Sequence, residues 1–471
     1  MQLNIDNDTI CAISTPQGVG GIAVIRLSGP HAITIADSIW RGKALADTPG
    51  HRCRLGDITD ADGNILDNCV ATVFRGPHSF TGEDTVEFAV HGSRYIQRAL
   101  LDTLICRGAR LAEAGEYTRR AFTAGHLDLA QAEAVADVIA SNSRAAHRLA
   151  IKQMRGSFSQ RLDSLRDRLI ELASLLELEL DFSEEEVEFA SRQSLRRLAV
   201  EIHDEVSRLA DSFASGRAIK DGIPVAIVGA TNAGKSSLLN ALIGDNRAIV
   251  SDIHGTTRDT IEETIELGDY HFRFIDTAGL RHTDDAIEQI GIERSRQAID
   301  RAVIVILVID PAAPLDPDIL AAASAPLAAA PRPGDLIALI NKSDSATPQR
   351  LAVTADTLQD FSQSPNFHIL SASALTGEGI DSLRQTLVDI ARREEGSADE
   401  GLLVTNLRHA QSLRAAAEST ARVIAGLDAN LSGDLIAQDL RQTIHHLSSI
   451  TGAITTTDIL STIFSRFCIG K

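Results

Sequence analysis

The hydrophobic rhythm of the chain changes along its length. Short apolar runs broken by polar turns come first: residues 9–14 (TICAIS) and 21–27 (GIAVIRL) predict two strands joined across Thr15, Pro16, Gln17, Gly18, Val19 and Gly20. Further strands are expected over 71–74 and 85–90 (TVEFAV), and a helix over 95–107. The start of the chain is therefore an α+β domain by pattern. Its glycine-rich link is expected to be a hairpin turn, because no helix follows it and the glycines lack the dinucleotide spacing. Arg26 interrupts an apolar strand, where a charge either faces solvent or is aimed at an anion.

From Leu127 the rhythm becomes helical. Leu162, Leu165, Leu169, Leu172 and Leu176 alternate at three and four residues, the seam of a helix packed on other helices. The acidic run of Glu184, Glu185, Glu186 and Glu188 is expected to be a solvated face, as is the basic stripe of Arg192, Arg196 and Arg197. This helical stretch is expected to end over 215–222. Apolar periodicity resumes after Glu395, with Leu440, Ile444 and Leu447, so chain on both sides of the intervening segment can build one bundle.

Inside that interval, apolar runs each stop at a loop rich in chemistry. Val225, Ala226, Ile227 and Val228 lead into Gly229-x-x-x-x-Gly234-Lys235-Ser236, after which Leu238, Leu239, Ala241 and Leu242 carry helical spacing. This is a strand, a phosphate loop and a helix. Backbone N–H groups of Asn232, Ala233, Gly234 and Ser237 can turn onto phosphate oxygens, and the helix N-terminus adds its positive end. Lys235 brings a charge to the outer phosphates, and Ser236 offers an oxygen to Mg²⁺. Gly255, Thr256, Thr257, Arg258 and Asp259 form a hydroxyl-bearing loop able to close on the metal and the last phosphate. The strand over 271–275 runs into Asp276, Thr277, Ala278 and Gly279, with Asp276 reaching Mg²⁺ through water and Gly279 facing the γ-phosphate. After 336–340 come Asn341, Lys342, Ser343 and Asp344. A carboxylate there accepts two donors from the guanine edge, whereas adenine leaves it unpaired. Ser373 and Ala374, after the strand expected over 367–370, close the base pocket, so the expected nucleotide is GTP. Leu280 stands where many GTPases place a water-orienting glutamine, so another group must do that work. The Ala- and Pro-rich stretch 311–334 is expected to form a surface helix without chemistry.

Composition narrows the partners. A net charge of −19 and only 4% aromatic residues argue against a broad nucleic-acid-binding surface or a base-stacking platform, leaving a local basic patch or a partner for any RNA contact. A ribosome-assembly switch would carry a basic module, which this chain lacks. Cys11, Cys53, Cys69, Cys106 and Cys468 have neither zinc nor disulfide spacing, which fits a reducing cytoplasm. No signal-like start and no apolar stretch of membrane length are present, so a cytoplasmic protein without membrane contact is expected.

The set GATNAGKSSLLNAL, SDIHGTTRD, DTAGLR and the terminal Phe467-Cys468-Ile469-Gly470-Lys471 resembles the MnmE (TrmE) family of bacterial tRNA-modification GTPases. The segments TPQGVGGIAVIRLSG, SFTGEDTVEFAVHG and LDLAQAEAVADVI resemble it too, so the likeness covers essentially the whole chain. It implies a multidomain α/β plus α fold: an N-terminal α+β tetrahydrofolate-binding and dimerisation domain over 1–122, a helical domain over 123–219 and 396–471, and a Ras-like P-loop GTPase domain over 220–395 inserted into it. Glu288 is implied as the water-orienting group, acting with Lys235 and Thr257, the latter also on Mg²⁺. A K⁺ held by Asn232, Ser251, Ile253 and Thr256 where two GTPase domains meet would replace an arginine finger. Arg26, Glu87, His126 and Lys471 are implied to hold a 5-formyl- or methylene-tetrahydrofolate, although His126 stands where the family commonly has lysine. Cys468 is a candidate reactive thiol. The implied partners are a second copy, an FAD-dependent MnmG-type protein in a heterotetramer or larger complex, and tRNA. The wobble uridine, position 34, would gain a carboxymethylaminomethyl or aminomethyl group at C5.

Overall fold

A computed structural model of the chain describes residues 8–181, 192–244, 263–275, 296–315, 317–325, 334–361, 364–396, 402–455, 457–465, 467 and 470. The chain divides into two units, one comprising Met1–Ile139, Lys152–Ser191 and Asn430–Lys471, the other Ala140–Ile151 and Arg192–Ala429.

In the first unit, β1 (Ile10–Ile13), β2 (Gly20–Ser28), α1 (Ala32–Ser38), β3 (Trp40–Arg41), β4 (Arg52–Thr59), β5 (Ile65–Phe74), β6 (Thr85–Gly92), α2 (Arg94–Cys106) and β7 (Arg110–Leu111) follow in order. Their strands form one sheet, β3-β4-β5-β6-β2-β1-β7, with β1 and β7 parallel and the other neighbours antiparallel. Residues 14–19 are the hairpin link between β1 and β2, one residue short of the expected 15–20 at its C-terminal side because Gly20 already pairs in β2. Because strand side chains alternate, Ile25 and Leu27 of β2 and Val86, Phe88 and Val90 of β6 share one face and are buried with Leu100 and Leu104 of α2. The same alternation puts Arg26 and Glu87 on the other face, opposite each other across β2 and β6.

The helices α3 (Glu116–Thr123), α4 (Leu129–Ala140), α5 (Arg144–Met154), α6 (Ser157–Asp181), α7 (Arg192–Asp211) and α8 (Phe213–Asp221) follow. All five seam leucines of α6 are buried. The helical stretch passes Ser215 and Gly216 and ends at Asp221, inside the interval 215–222 expected from the pattern. α8 runs through them, and Gly216 lacks a side chain because a Cβ there would lie 2.3 Å from the Val404 carbonyl oxygen.

In the second unit, β8 (Ile223–Gly229), α9 (Lys235–Ile243), β9 (Glu263–Leu267), β10 (Tyr270–Ile275), β11 (Ile304–Ile309), α10 (Pro317–Ser324), β12 (Asp335–Ile340), α11 (Pro348–Phe361), β13 (Phe367–Ser371) and α12 (Ile380–Gly396) build a doubly covered sheet. Its order is β13-β12-β11-β8-β10-β9, parallel except for β9 against β10. Every residue of β11 and β12 is buried. Their alternate side chains divide between two cores, Ile306 and Leu339 with Leu238 and Leu387 on one side, Leu307 and Ala338 with Leu320 and Leu358 on the other. α10 is the proline-started helix expected within 311–334.

After the sheet come α13 (Leu407–Asp428), α14 (Gly433–Thr451) and α15 (Thr457–Phe464). α13 packs along α7 in the second unit, and α14 along α6 in the first. Helices from before and after the parallel sheet therefore pair within each unit. α15 and Phe467 seat Leu460, Phe464 and Phe467 against Leu129 and Ala132 of α4.

Candidate functional site

Parallel strands β8, β11, β12 and β13 deliver their C-terminal loops to one edge of the second unit's sheet, where such folds bind ligands. The loop after β8 turns tightly: Asn232 takes φ +62 and Gly234 φ +96. A Cβ on Gly234 would come within 2.2 Å of Asn341 Nδ2, so this glycine answers both to the turn and to a close neighbour. Lys235 opens α9 and folds back across the loop, its Nζ donating to the carbonyls of Gly229 (2.9 Å) and Ala230 (2.8 Å). Burial holds its pKa below the usual lysine range. A desolvated ammonium at a helix N-terminus, beside loop amides, suits the oxygens of a polyphosphate. Ser236 and Ser237 occupy the first turn of α9.

Asn341 stands where the loops after β8, β12 and β13 meet. Its Nδ2 donates to the Ala233 carbonyl (2.8 Å), and its Oδ1 accepts from the Ala374 amide (3.0 Å), tying the phosphate loop to the loop after β13. Ser373 Oγ donates to Asp344 Oδ1 (2.5 Å) and so orients the carboxylate. Lys342, in the left-handed region at φ +59, places its Nζ 2.7 Å from Asp310 Oδ2. Asp310 closes β11. It was not singled out by sequence, although the signal was there: an apolar run ending in an acid, the same pattern that marked Asp276. Ser251, Ile253, Thr256, Thr257, Asp276, Thr277, Ala278, Gly279 and Glu288 lie outside the described residues. Among the described residues no group of three or more His, Cys, Asp or Glu is placed to hold a metal ion.

In the first unit two of the side chains carried over by resemblance, Arg26 and Glu87, meet on adjacent strands. Arg26 Nε donates to Glu87 Oε1 at 2.8 Å, and both residues are largely covered. The guanidinium thus has an acid partner, an arrangement between the solvent-facing and anion-facing alternatives. Tyr117 and Phe80 stack on it, their ring centres 5.4 and 5.8 Å away, and the Tyr117 hydroxyl donates to the Arg26 carbonyl at 2.9 Å. Phe80 also lines an open cavity of about 350 Å³ with His51, His78 and His126. The chain end reaches the neighbouring strand: Ser14 Oγ donates to the Gly470 carbonyl at 3.2 Å, just past Ile13 of β1. Lys471 and Cys468 lie outside the described residues.

The same unit holds a charge network around the buried Glu116 that sequence reading missed. Glu116, whose side chain has no solvent exposure, accepts from Arg110 (2.6 Å) and Arg120 (2.9 Å), and Arg120 also reaches Asp8 (2.7 Å) and Glu83 (3.0 Å). Burial alone would raise the Glu116 pKa, yet hydrogen bonds from Arg110, the Glu113 amide and Arg120 outweigh it and hold the pKa low. No sequence signal marks it, because EYTRR has the composition of an exposed helix.

Residues 9–126 match the family model described as GTP-binding protein TrmE N-terminus, and residues 129–468 the one described as MnmE helical domain. The chain is 50% identical over 471 residues to the tRNA modification GTPase MnmE of Parabacteroides distasonis, covering 98% of this chain and 100% of that protein. It is 48% identical over 474 residues to the protein of that name from Porphyromonas gingivalis, covering 99% of each. For the namesake from Cytophaga hutchinsonii the identity is 47% over 470 residues, with 98% of each covered.

Proposed function

The chain belongs to the MnmE family of tRNA modification GTPases and hydrolyses GTP, and from that membership we propose how its residues divide the work. Asp344, oriented by Ser373, accepts from the guanine edge, while Asn341, Lys342 and Ala374 frame the base. Residues Asn232 to Ser237 surround the phosphates and Lys235 exchanges its loop carbonyls for phosphate oxygens. Ser236, Thr257 and, through water, Asp276 would hold Mg²⁺, which would neutralise charge on the outer phosphates. Glu288 orients the attacking water in place of the missing glutamine, and Thr256 and Thr257 with residues 276–279 respond to the terminal phosphate. Asn232, Ser251, Ile253 and Thr256 would hold K⁺ when two GTPase domains meet.

The observation that carries this reading is the double tie of Asn341, which joins the phosphate loop to the base loop. Its test is substitution of Asp344. Asp344→Asn replaces an acceptor by a donor, so GTP binding falls by about tenfold or more while xanthosine triphosphate, which presents a carbonyl there, gains. Unchanged selectivity in competition binding would remove Asp344 from the base pocket.

The wider activity follows the same family reading. Residues 1–122 bind the one-carbon donor and dimerise, the helical segments 123–219 and 396–471 carry the GTPase domain 220–395, and an FAD-dependent MnmG-type partner joins in a larger complex to modify C5 of the wobble uridine of tRNA. Arg26, Glu87, His126 and Lys471 hold the tetrahydrofolate, with Cys468 as a neighbouring thiol. Convergence of Arg26, Glu87 and the Gly470 end on three adjacent strands supports that placement, as does Phe80, an exposed aromatic ring suited to a pterin. The open face of the sheet supports self-association: Leu55, Val70, Ala89 and Val24 stand in one row across four strands, and Leu55 and Val70 are exposed. Calorimetric titration of the full-length chain with 5-formyltetrahydrofolate tests the first point, with Arg26→Met expected to abolish the signal.

A further inference from the structure

We propose that Asp310 is a positioning residue for nucleotide binding, setting the Lys342 ammonium at the rim of the base pocket. The inference rests on the reading of Asn341, Lys342 and Asp344 as base-pocket residues. Lys342 sits between Asn341, which braces the phosphate loop, and the Ser343–Asp344 pair that leads to Ser373. Its backbone is in the left-handed region, which a lysine adopts only when its surroundings hold it there. Asp310 is what holds the other end of that side chain: Oδ2 accepts from Lys342 Nζ at 2.7 Å.

The carboxylate is itself fixed. Its Oδ1 accepts from the Ala312 amide (2.8 Å), the Ala313 amide returns to the Asp310 carbonyl (3.0 Å), and Arg350 of α11 donates to the Ala312 carbonyl (2.9 Å). A braced turn thus presents one carboxylate oxygen to one ammonium. The pair is only partly covered, with the aspartate side chain 18% and the lysine 39% exposed, so its value is geometric more than energetic. A lysine free to rotate loses ordering entropy each time a nucleotide arrives, and pre-ordering removes that loss. The hydrogen bond from Lys342 lowers the Asp310 pKa, so the carboxylate remains charged where nucleotide binds.

Asp310→Asn separates the roles, since the amide oxygen still accepts from Ala312 while the negative charge facing the Lys342 ammonium disappears. Affinity for fluorescent GDP and GTP, measured on the full-length protein, is expected to fall together by roughly three- to fivefold. The loss should enter KM for GTP rather than kcat, and Asp310→Glu should restore part of it. In a Lys342→Met background, Asp310→Asn should cost nothing further. An equal loss in both backgrounds would overturn the proposal, because Asp310 would then act without Lys342. If Lys342→Met alone leaves affinity unchanged, the base-pocket reading itself fails, a result distinct from a silent Asp310→Asn beside a damaging Lys342→Met, which refutes only the positioning role.

Discussion

Gly234 has no room for a methyl group. The atom that would meet it is Asn341 Nδ2, the same nitrogen that ties the base loop to the phosphate loop, and the residue sits at φ +96. Gly234→Ala therefore strains the backbone and breaks the tie, and nucleotide affinity should fall by more than tenfold. Gly377→Ala is the control: its φ is +84 but nothing lies within 4 Å of a new Cβ, so only the conformational cost of about 1 kcal/mol remains, visible as a small drop in Tm with near-normal GDP binding. Glu116 offers a second residue-scale prediction, through pH. Its folded pKa is held below the unfolded value, as is that of Asp8, where burial is again opposed by hydrogen bonds from Arg110 and Arg120. Their contribution to stability is therefore present above an unfolded carboxylate pKa of about 4 and lost as pH falls through the lower folded values. Urea unfolding between pH 6 and pH 3 should show the chain weakening at the acid end, and Glu116→Gln should lower stability at pH 6 while flattening that slope. A parallel shift at every pH would mean that the network contributes only packing.

At the scale of elements, α6 shows what a pattern specifies. Leu169 is fully buried in its seam, while Ile170, one residue on, is 46% exposed. Leu169→Ala should cost roughly 2–5 kcal/mol and Ile170→Ala under about 1 kcal/mol, read from denaturation midpoints. The same legibility holds for β11 and β12, whose unbroken apolar runs announce strands covered on both faces, and for the β1–β2 hairpin. β4 was not legible. Its sequence RCRLGDIT carries charges through a strand with only Ile58 and Thr59 fully buried, so packing partners rather than alternation make it a strand. The loops after β8, β12 and β13 were legible as strand ends because each stops an apolar run. Phe80, Tyr117 and Asp310 were not recognised, since their roles come from neighbours distant in sequence: Arg26 for the two rings and a lysine on the next strand's loop for the acid; Glu116 pairs with the nearby Arg110 and Arg120, and what its sequence does not show is its burial. Gly216 makes the same point, being a glycine inside a helix for the sake of Val404.

The whole molecule carries a net charge of −19, so two copies approaching each other repel, and any salt relieves that repulsion by screening. This sets the conditions under which the proposed cation-dependent hydrolysis can be tested. KCl and NaCl at equal concentration screen alike, and they differ in the size of the ion that fixed oxygen ligands must surround. A rate difference between them therefore reports a specific site, whereas a common rise with salt reports only easier encounter. With Leu280 unable to orient water and no arginine assigned to join Lys235 at the outer phosphates, a K⁺ between the β and γ phosphates would stabilise the charge that develops in the transition state. Steady-state GTP hydrolysis should be about tenfold or more faster in KCl than in matched NaCl, and the gain should appear only at protein concentrations or nucleotide states that bring GTPase domains together. Asn232, held in the left-handed region within the phosphate loop, is the described residue assigned to the ion. Asn232→Ala should bring the KCl rate down to the NaCl rate while leaving GDP affinity within a few-fold. Equal rates in the two salts for the unaltered protein would leave its GTPase activity intact and move the catalytic charge to a side chain.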